Sequence, residues 1–187
     1  RLSQLTGGFI GDDNSIVTGV STAKLEALSD IIDEAVNEDK KLVVIARFVA
    51  EIKAIEKMLQ KKKLHYSLIM GGVKDREEQV SQFQNNPKVQ VFIGQIATAG
   101  LGITLTAANT MVFYSLDYSM SNFEQTKARI HRVGQNENCT YIYLTAKGTV
   151  DEKVLKALRN KADLARTLVD DYKSGSNPFE VRGGERL

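Results

Sequence analysis

Leu42-Val43-Val44-Ile45-Ala46 is an unbroken apolar run, rich in β-branched residues and without polar alternation. Such a run marks a strand covered on both faces, and strands of that kind belong to parallel sheets. Outward from it, strands and helices alternate. Before it, Leu25, Leu28, Ile31, Ile32, Ala35 and Val36 follow helical spacing from Ala23 to about Val36, and Asn37-Glu38-Asp39-Lys40 breaks the pattern. After it, a second helix carries Ile52, Ile55, Met58 and Leu59 on its inner stripe and closes in Lys61-Lys62-Lys63. Those lysines suit the negative end of the helix dipole and read as a solvated last turn. A strand from His65 to Met70 ends at Gly71-Gly72, and a helix from about Lys74 to Gln84 turns Val80 and Phe83 inward. Val89 to Ile93 is the third strand, followed by a small-residue loop, Gly94 to Ile103. Thr110 to Tyr114 and Thr140 to Leu144 are the fourth and fifth. The last helix starts at a capping box, Thr149 with Glu152, and carries Val150, Val154, Leu155, Leu158, Leu164, Leu168 and Val169.

This alternation predicts an α/β fold in three layers, a mostly parallel sheet with helices on both faces. Ligands of such sheets bind outside the carboxyl ends of the strands. Arg47-Phe48, Gly71-Gly72, Gly94 to Gly102 and Ser115 to Asp117 should therefore line one functional edge. Residues 1–21, with Gly7-Gly8, Gly11-Asp12-Asp13-Asn14 and Gly19, read as a turn-rich linker or docking segment. Residues 22–172 read as the folded domain and 173–187 as a mobile tail.

Composition removes several classes of function. With 187 residues, 42% of them hydrophobic and 26% charged, the chain suits one packed globular domain. No apolar run approaches the ~18 residues that span a bilayer, so no membrane partner is expected. The single cysteine, Cys139, excludes an internal disulfide and fits a reducing, cytoplasmic location. No signal-peptide pattern opens the chain, nor does Met, and it reads as a piece of a longer protein. A net charge of +2 provides no overall basic field. Nothing matches G-x-x-x-x-G-K-[ST], and no acidic box follows a strand. Gly100-Leu101-Gly102 lacks the third glycine of a dinucleotide fingerprint. His65 and His131 with one cysteine are too few for a zinc site or a hydrolytic triad, and no metal ligands are assigned.

One cluster stands out. Gln125, Arg129 and Arg132 are spaced at 0, +4 and +7, and Ser121 with Glu124 forms a capping box just ahead. A helix from about Asn122 to a stop at Gly134 and Asn136 would set all three on one face. Two adjacent guanidinium groups repel unless an anion lies opposite, and a phosphate would serve. The other reading is a structural pair bridging to acids such as Asp117 or Glu124.

Gln125 to Gln135 (QTKARIHRVGQ) resembles the Q-x-x-x-R-x-x-R of helicase motif VI, followed by the Val-Gly-Gln of the Swi/Snf-type branch of superfamily-two helicase-like ATPases. Gly94 to Ala108 (GQIATAGLGITLTAA) is similar to that branch's motif V, and Leu42 to Phe48 to its motif IV. Tyr66 to Phe83, with Gly71-Gly72 and Arg76, resembles the segment between them, and Gly148 to Glu152 the start of the final helix. The resemblance runs from about residue 24 to 170. It implies the C-terminal RecA-like lobe of a two-lobe, ATP-dependent translocase on double-stranded DNA, whose N-terminal lobe in cis binds ATP and holds most of the Mg2+. On that basis Arg132 is the principal arginine finger, Arg129 its companion or a coupling contact, and Gln125 an orienting partner. Gly100 and Gly102 approach the nucleotide, and Thr98 a DNA phosphate. Arg47, Gly72, Lys74 and Arg76 are further DNA contacts. The isolated lobe should be inactive. His131-Arg132-Val133-Gly134 also looks like the box of RNA helicases, but Gln135 stands where that register needs Arg. An RNA-directed ATPase lobe and a non-catalytic binding scaffold are the alternatives. The chain departs from the pattern at Tyr118 to Asn122, at Ile103-Thr104 and at Ala128. Its compact form, free of large insertions, suggests a bacterial, archaeal or phage source.

Overall fold

The computed structural model describes residues 2–11, 17–19, 21–96 and 102–173. A short helix α1 (Leu2–Thr6) leads into an antiparallel pair, β1 (Phe9–Gly11) and β2 (Val17–Gly19). Then come α2 (Ala23–Asn37), β3 (Leu42–Ala46), α3 (Val49–Lys61), β4 (His65–Ile69), α4 (Arg76–Asn85) and β5 (Val89–Gln95). They are followed by β6 (Thr110–Phe113), α5 (Met120–Lys127), β7 (Thr140–Tyr143) and α6 (Val150–Lys173). The main sheet has the order β4-β5-β3-β6-β7, and every neighbouring pair is parallel.

The opening run is the centre of this sheet. β3 lies between β5 and β6, and all five of its residues are buried. Leu42, Val44 and Ala46 pack with Leu28 and Ile32 of α2 and Ile52, Ile55 and Leu59 of α3. Val43 and Ile45 face the other way, toward Phe83 of α4, Phe123 of α5, and Val154 and Leu158 of α6. The two-residue period of the strand thus feeds two separate cores, which is why the run needs no polar alternation. Each buried Leu, Ile or Phe adds about 1.5–3 kcal/mol. On the β6–β7 side, Phe113 stacks on Tyr143 with ring centroids 5.3 Å apart, and Phe123 lies 5.3 Å from Phe113.

Element ends differ from the pattern by one or two residues. α4 begins at Arg76, not Lys74, and Asp75 takes the cap position. At α6 the expected box is shifted: Thr149 Oγ1 accepts from Asp151 N at 3.3 Å, while Glu152 Oε2 accepts from Gly148 N at 3.1 Å. Gly148 takes φ +73°, which turns its amide toward that carboxylate.

Residues 2–8 lie against the carboxyl ends of β3 and β6. Thr6 Oγ1 donates to Asp151 Oδ1 at 2.7 Å, and Tyr114 Oη to Gly7 O at 3.2 Å. A Cβ on Gly7 would come within 2.0 Å of Glu51 Oε1, so any larger residue would have to displace that buried carboxyl.

Candidate nucleotide and nucleic-acid site

Because the strands are parallel, their carboxyl ends meet at one edge, and hydrogen bonds run across it. Gly71 N donates to Gln95 Oε1 at 3.1 Å, and Gln95 Nε2 to Arg47 O at 3.3 Å. Arg47 N donates to Ser115 Oγ at 2.8 Å, and Ser115 Oγ to Glu51 Oε2 at 2.5 Å. The same carboxylate accepts from Phe48 N at 3.1 Å, which ties the first turn of α3 back to its cap. Glu51 is 1% exposed, and its Oε1 meets no partner among the described residues. Burial pushes its carboxyl up, against the pull of Ser115, the Phe48 amide and Lys24. Lys24 Nζ pairs with Asp151 Oδ2 at 2.5 Å and donates to Tyr114 O at 3.1 Å, with both ionic side chains about nine-tenths buried.

At this edge Arg47 stacks its guanidinium over the Phe48 ring, 5.0 Å from the centroid. Gly72 takes φ +89° and is exposed, as is Lys74. Arg76 Nε donates to Val73 O at 3.0 Å. A groove of about 530 Å³ separates α4 from the next segment, lined by Arg76, Val80, Gln84, Gly102 and Ile103. Thr98 and Gly100 lie outside the described residues.

Residues 102–109 run back to the start of β6, and the arginine cluster packs along them. Here the expected single helix does not form. α5 starts two residues early because Ser119 is its cap: Ser119 Oγ accepts from Asn122 N at 3.2 Å, and Asp117 Oδ1 from Ser119 N at 2.9 Å. Ser121 therefore sits inside the helix and accepts from Gln125 Nε2 at 3.0 Å. α5 also ends early, at Lys127. Arg129 N then bonds Thr126 O at 3.1 Å, a tightened turn. Two carbonyls that a longer helix would use are taken by other donors: Arg129 O accepts from the distant Leu105 N at 2.9 Å, and Ile130 O from the nearby Gln135 Nε2 at 3.4 Å. Ile130 is fully buried and anchors this arrangement, and Gly134 closes it at φ +98°. Gln125, Arg129 and Arg132 therefore do not share a helical face. Gln125 stays exposed on α5, and the two arginines belong to a turn beyond it.

That turn keeps the arginines together by another route. Arg132 is exposed, and its Nη1 donates to Gly102 O at 3.1 Å and Thr104 Oγ1 at 3.3 Å. Arg129 is half-buried, and its Nε meets no partner among the described residues. Burial first, and the charge of Arg132 second, push the Arg129 guanidinium down from its ordinary value. Asp117 is engaged by Ser119 and Asn122, and Glu124 by Lys127 at 3.2 Å, so among the described residues neither acid bridges to an arginine. A cation that costs energy to bury and carries an open donor is poised for an anion.

Pattern reading placed Ser115 on the functional edge and used Gln135 and Thr104 only to compare motifs, and it gave none of them, nor Glu51, a role of its own. A glutamine just beyond a glycine stop was the one available signal, since such a turn leaves carbonyls that need donors. Among the described residues no group of three or more His, Cys, Asp or Glu could hold a metal ion. No described helix is long and apolar enough to cross a membrane.

A family model described as "Helicase conserved C-terminal domain" matches residues 23–134. The chain is 32% identical over 166 residues to the chromatin-remodeling ATPase INO80 of Mycosarcoma maydis, covering 88% of this chain and 8% of that protein. Against INO80 of Homo sapiens it is 30% identical over 165 residues, covering 87% and 10%. It thus spans 8–10% of the length of these curated relatives. Both are eukaryotic and lend no support to a bacterial, archaeal or phage source. The crystal structure of the C-terminal part of the Fun30 ATPase domain matches with a TM-score of 0.68 at 22% identity, covering 72% of this chain and 44% of that one. At that identity the likeness is one of fold, a RecA-like α/β domain. With its parallel sheet, its returning segment 102–109 and its arginine turn inside or beside the matched span, the chain belongs to the helicase conserved C-terminal domain family.

Proposed function

We propose that this chain is the second motor lobe of a Swi/Snf-type, ATP-driven translocase on double-stranded DNA. Residues 22–172 form the lobe and residues 1–21 a docking segment. The observation that carries the reading is the arginine turn. The Arg132 guanidinium stands beside Gly102 and Thr104, the Arg129 guanidinium feels its charge and has an unpartnered buried Nε, and no described acid neutralises them. Such a pair stabilises charge that develops on a transferring phosphoryl group. Arg132, exposed and lightly held, is the finger. Arg129 is its companion, and Gln125 contacts the facing lobe. ATP is held by an N-terminal lobe in cis. Mg2+ is held mainly there too. Thr98, Arg47, Gly72, Lys74 and Arg76 contact the DNA backbone, and such contacts carry no sequence information. The likeness to chromatin-remodeling ATPases supports ATP hydrolysis by the intact protein.

The test is ATP turnover by the full-length protein with duplex DNA, single-stranded DNA or RNA. Duplex DNA should stimulate best, and Arg132→Ala should lower kcat by about 10³- to 10⁵-fold with DNA binding kept. Normal turnover by Arg132→Ala would overturn the finger, and stimulation by RNA alone would overturn the choice of DNA.

A further inference from the structure

Gln135 closes the turn that carries Arg132, and nothing above gives it a task. Its backbone N–H donates to Arg132 O at 2.9 Å. Its side chain then runs back beneath the turn, where Nε2 donates to Ala108 O at 2.8 Å, Thr106 O at 3.2 Å and Ile130 O at 3.4 Å. Its Oε1 accepts from Glu137 N at 3.0 Å. A primary amide has two N–H donors and one carbonyl, so its donors are shared among three carbonyls and its oxygen is in use as well.

These ties join two stretches that are distant in sequence. Thr106 and Ala108 belong to the returning segment, and Ile130 to the arginine turn. The opposite side of the returning segment is held by another glutamine: Ala107 N donates to Gln84 Oε1 at 2.8 Å, and Gln84 Nε2 to Thr106 Oγ1 at 3.2 Å. Arg132 rests on the front of this segment, at Gly102 and Thr104. Packing holds the turn only at its start, through Ile130. His131, Arg132 and Gly134 are exposed, and Val133 is 98% exposed, so no side chain between Ile130 and Gln135 reaches a core. Beyond the buried Ile130, polar ties decide where the turn sits: Leu105 N to Arg129 O, the two contacts of Arg132 Nη1, and the Gln135 amide, the one side chain that bonds both the turn and the returning segment from beneath.

We infer that Gln135 is a positioning residue for Arg132, one that registers the arginine turn against residues 102–108. The inference rests on the reading of Arg132 as the finger. Gln135 touches no nucleotide. It sets the place from which the guanidinium reaches, and a shift of about 1 Å in such a group costs on the order of 10²-fold in rate.

Single-turnover ATP hydrolysis by the full-length protein with saturating duplex DNA tests this. Gln135→Met keeps the length of the side chain and removes its donors. It should lower the rate about 10²-fold, leaving KM for ATP and DNA affinity at wild-type values. In an Arg132→Ala background the same change should add nothing, because a group that acts through another has no effect once that other is gone. An equal loss in both backgrounds, or no loss in either, would overturn the positioning role and leave the finger standing. Normal turnover by Arg132→Ala alone would instead overturn the finger. Should Gln135→Met fail to fold, Gln135→Glu carries the test. Its carboxylate repels the three carbonyls, whereas its protonated form donates one O–H, so activity relative to wild type should rise as pH falls. A ratio that does not change with pH would refute the role.

Discussion

The strand ends under residues 2–8 and the arginine turn after α5 are held by opposite means. Beneath the N-terminal segment the ties are dry: an ion pair, Lys24 with Asp151 at 2.5 Å, and a buried hydrogen bond from Ser115 Oγ to Glu51 Oε2 at 2.5 Å. In the arginine turn they are neutral amide–carbonyl bonds, and the charged group itself is exposed. Buried charges that lose a partner are left with a large desolvation cost, so the first region resists displacement. Each neutral bond adds about 0.5–1.5 kcal/mol net, so the second can rearrange when an anion arrives. The proposed function would use both, a rigid joint under residues 2–8 and a movable cation facing the phosphate.

The largest effect should come from breaking the dry pair. Lys24→Met leaves Asp151 buried with only Thr6 and the Ala146 amide as hydrogen-bond donors. It should destabilise the chain by about 3–5 kcal/mol, read as a lower urea midpoint with an unchanged m-value. Replacing both residues at once, Lys24→Met with Asp151→Leu, should recover much of that loss. If the single change costs under about 1 kcal/mol, as an exposed pair would, the entry region is not the rigid half.

Glu51 gives the next effect, seen as a slope. Burial raises its carboxyl in the folded state, so the native protein binds a proton more readily than the unfolded chain does. Stability from this group is fully present below the unfolded pKa and is lost as pH rises from there through the folded value. Glu51→Gln removes that component, so its stability should fall less than that of wild type between pH 4 and 7, measured by thermal melting in buffers of matched ionic strength. A mutant that tracks wild type at every pH would mean that Glu51 is not held dry.

The two regions also differ in how much of them could be read beforehand. Periodicity located β3 to the residue, because Leu42 to Ala46 must bury both faces and no other local structure suits such a run. The shared carboxyl edge followed from parallel topology, whereas the order of the strands, β4-β5-β3-β6-β7, carried no local signal. Periodicity failed where backbone carbonyls find partners outside the helical ladder, one distant and one a nearby side chain. Spacing of 0, +4 and +7 is a helical signal, yet Leu105 and Gln135 take the carbonyls of Arg129 and Ile130, and the helix stops at Lys127. The capping signal failed for a related reason. Ser119 and Ser121 are equivalent locally, and Asp117, bonded to both Ser119 and Asn122, decides between them. The ionic joint was invisible, since Lys24, Glu51 and Asp151 lie far apart in the chain. Each reads alone as an ordinary helix charge.

The smallest predicted effect is the most demanding check on the contrast. Thr104→Val is close to isosteric and removes only the hydroxyl that accepts from Arg132 Nη1 at 3.3 Å. The guanidinium keeps Gly102 O at 3.1 Å and is open to water, so nothing is left buried and unpaired. The change in unfolding free energy should stay within about 0.5 kcal/mol, the usual range for surface substitutions. The same substitution loosens the resting contact of the finger and leaves Gln135 and the turn alone, so DNA-stimulated turnover should hold or rise slightly. Stability is read from chemical denaturation of the chain and turnover from the full-length protein. A loss above about 1.5 kcal/mol would exceed what one neutral hydrogen bond gives, and would mean that Arg132 is fixed in the turn as firmly as Lys24 is fixed in the joint.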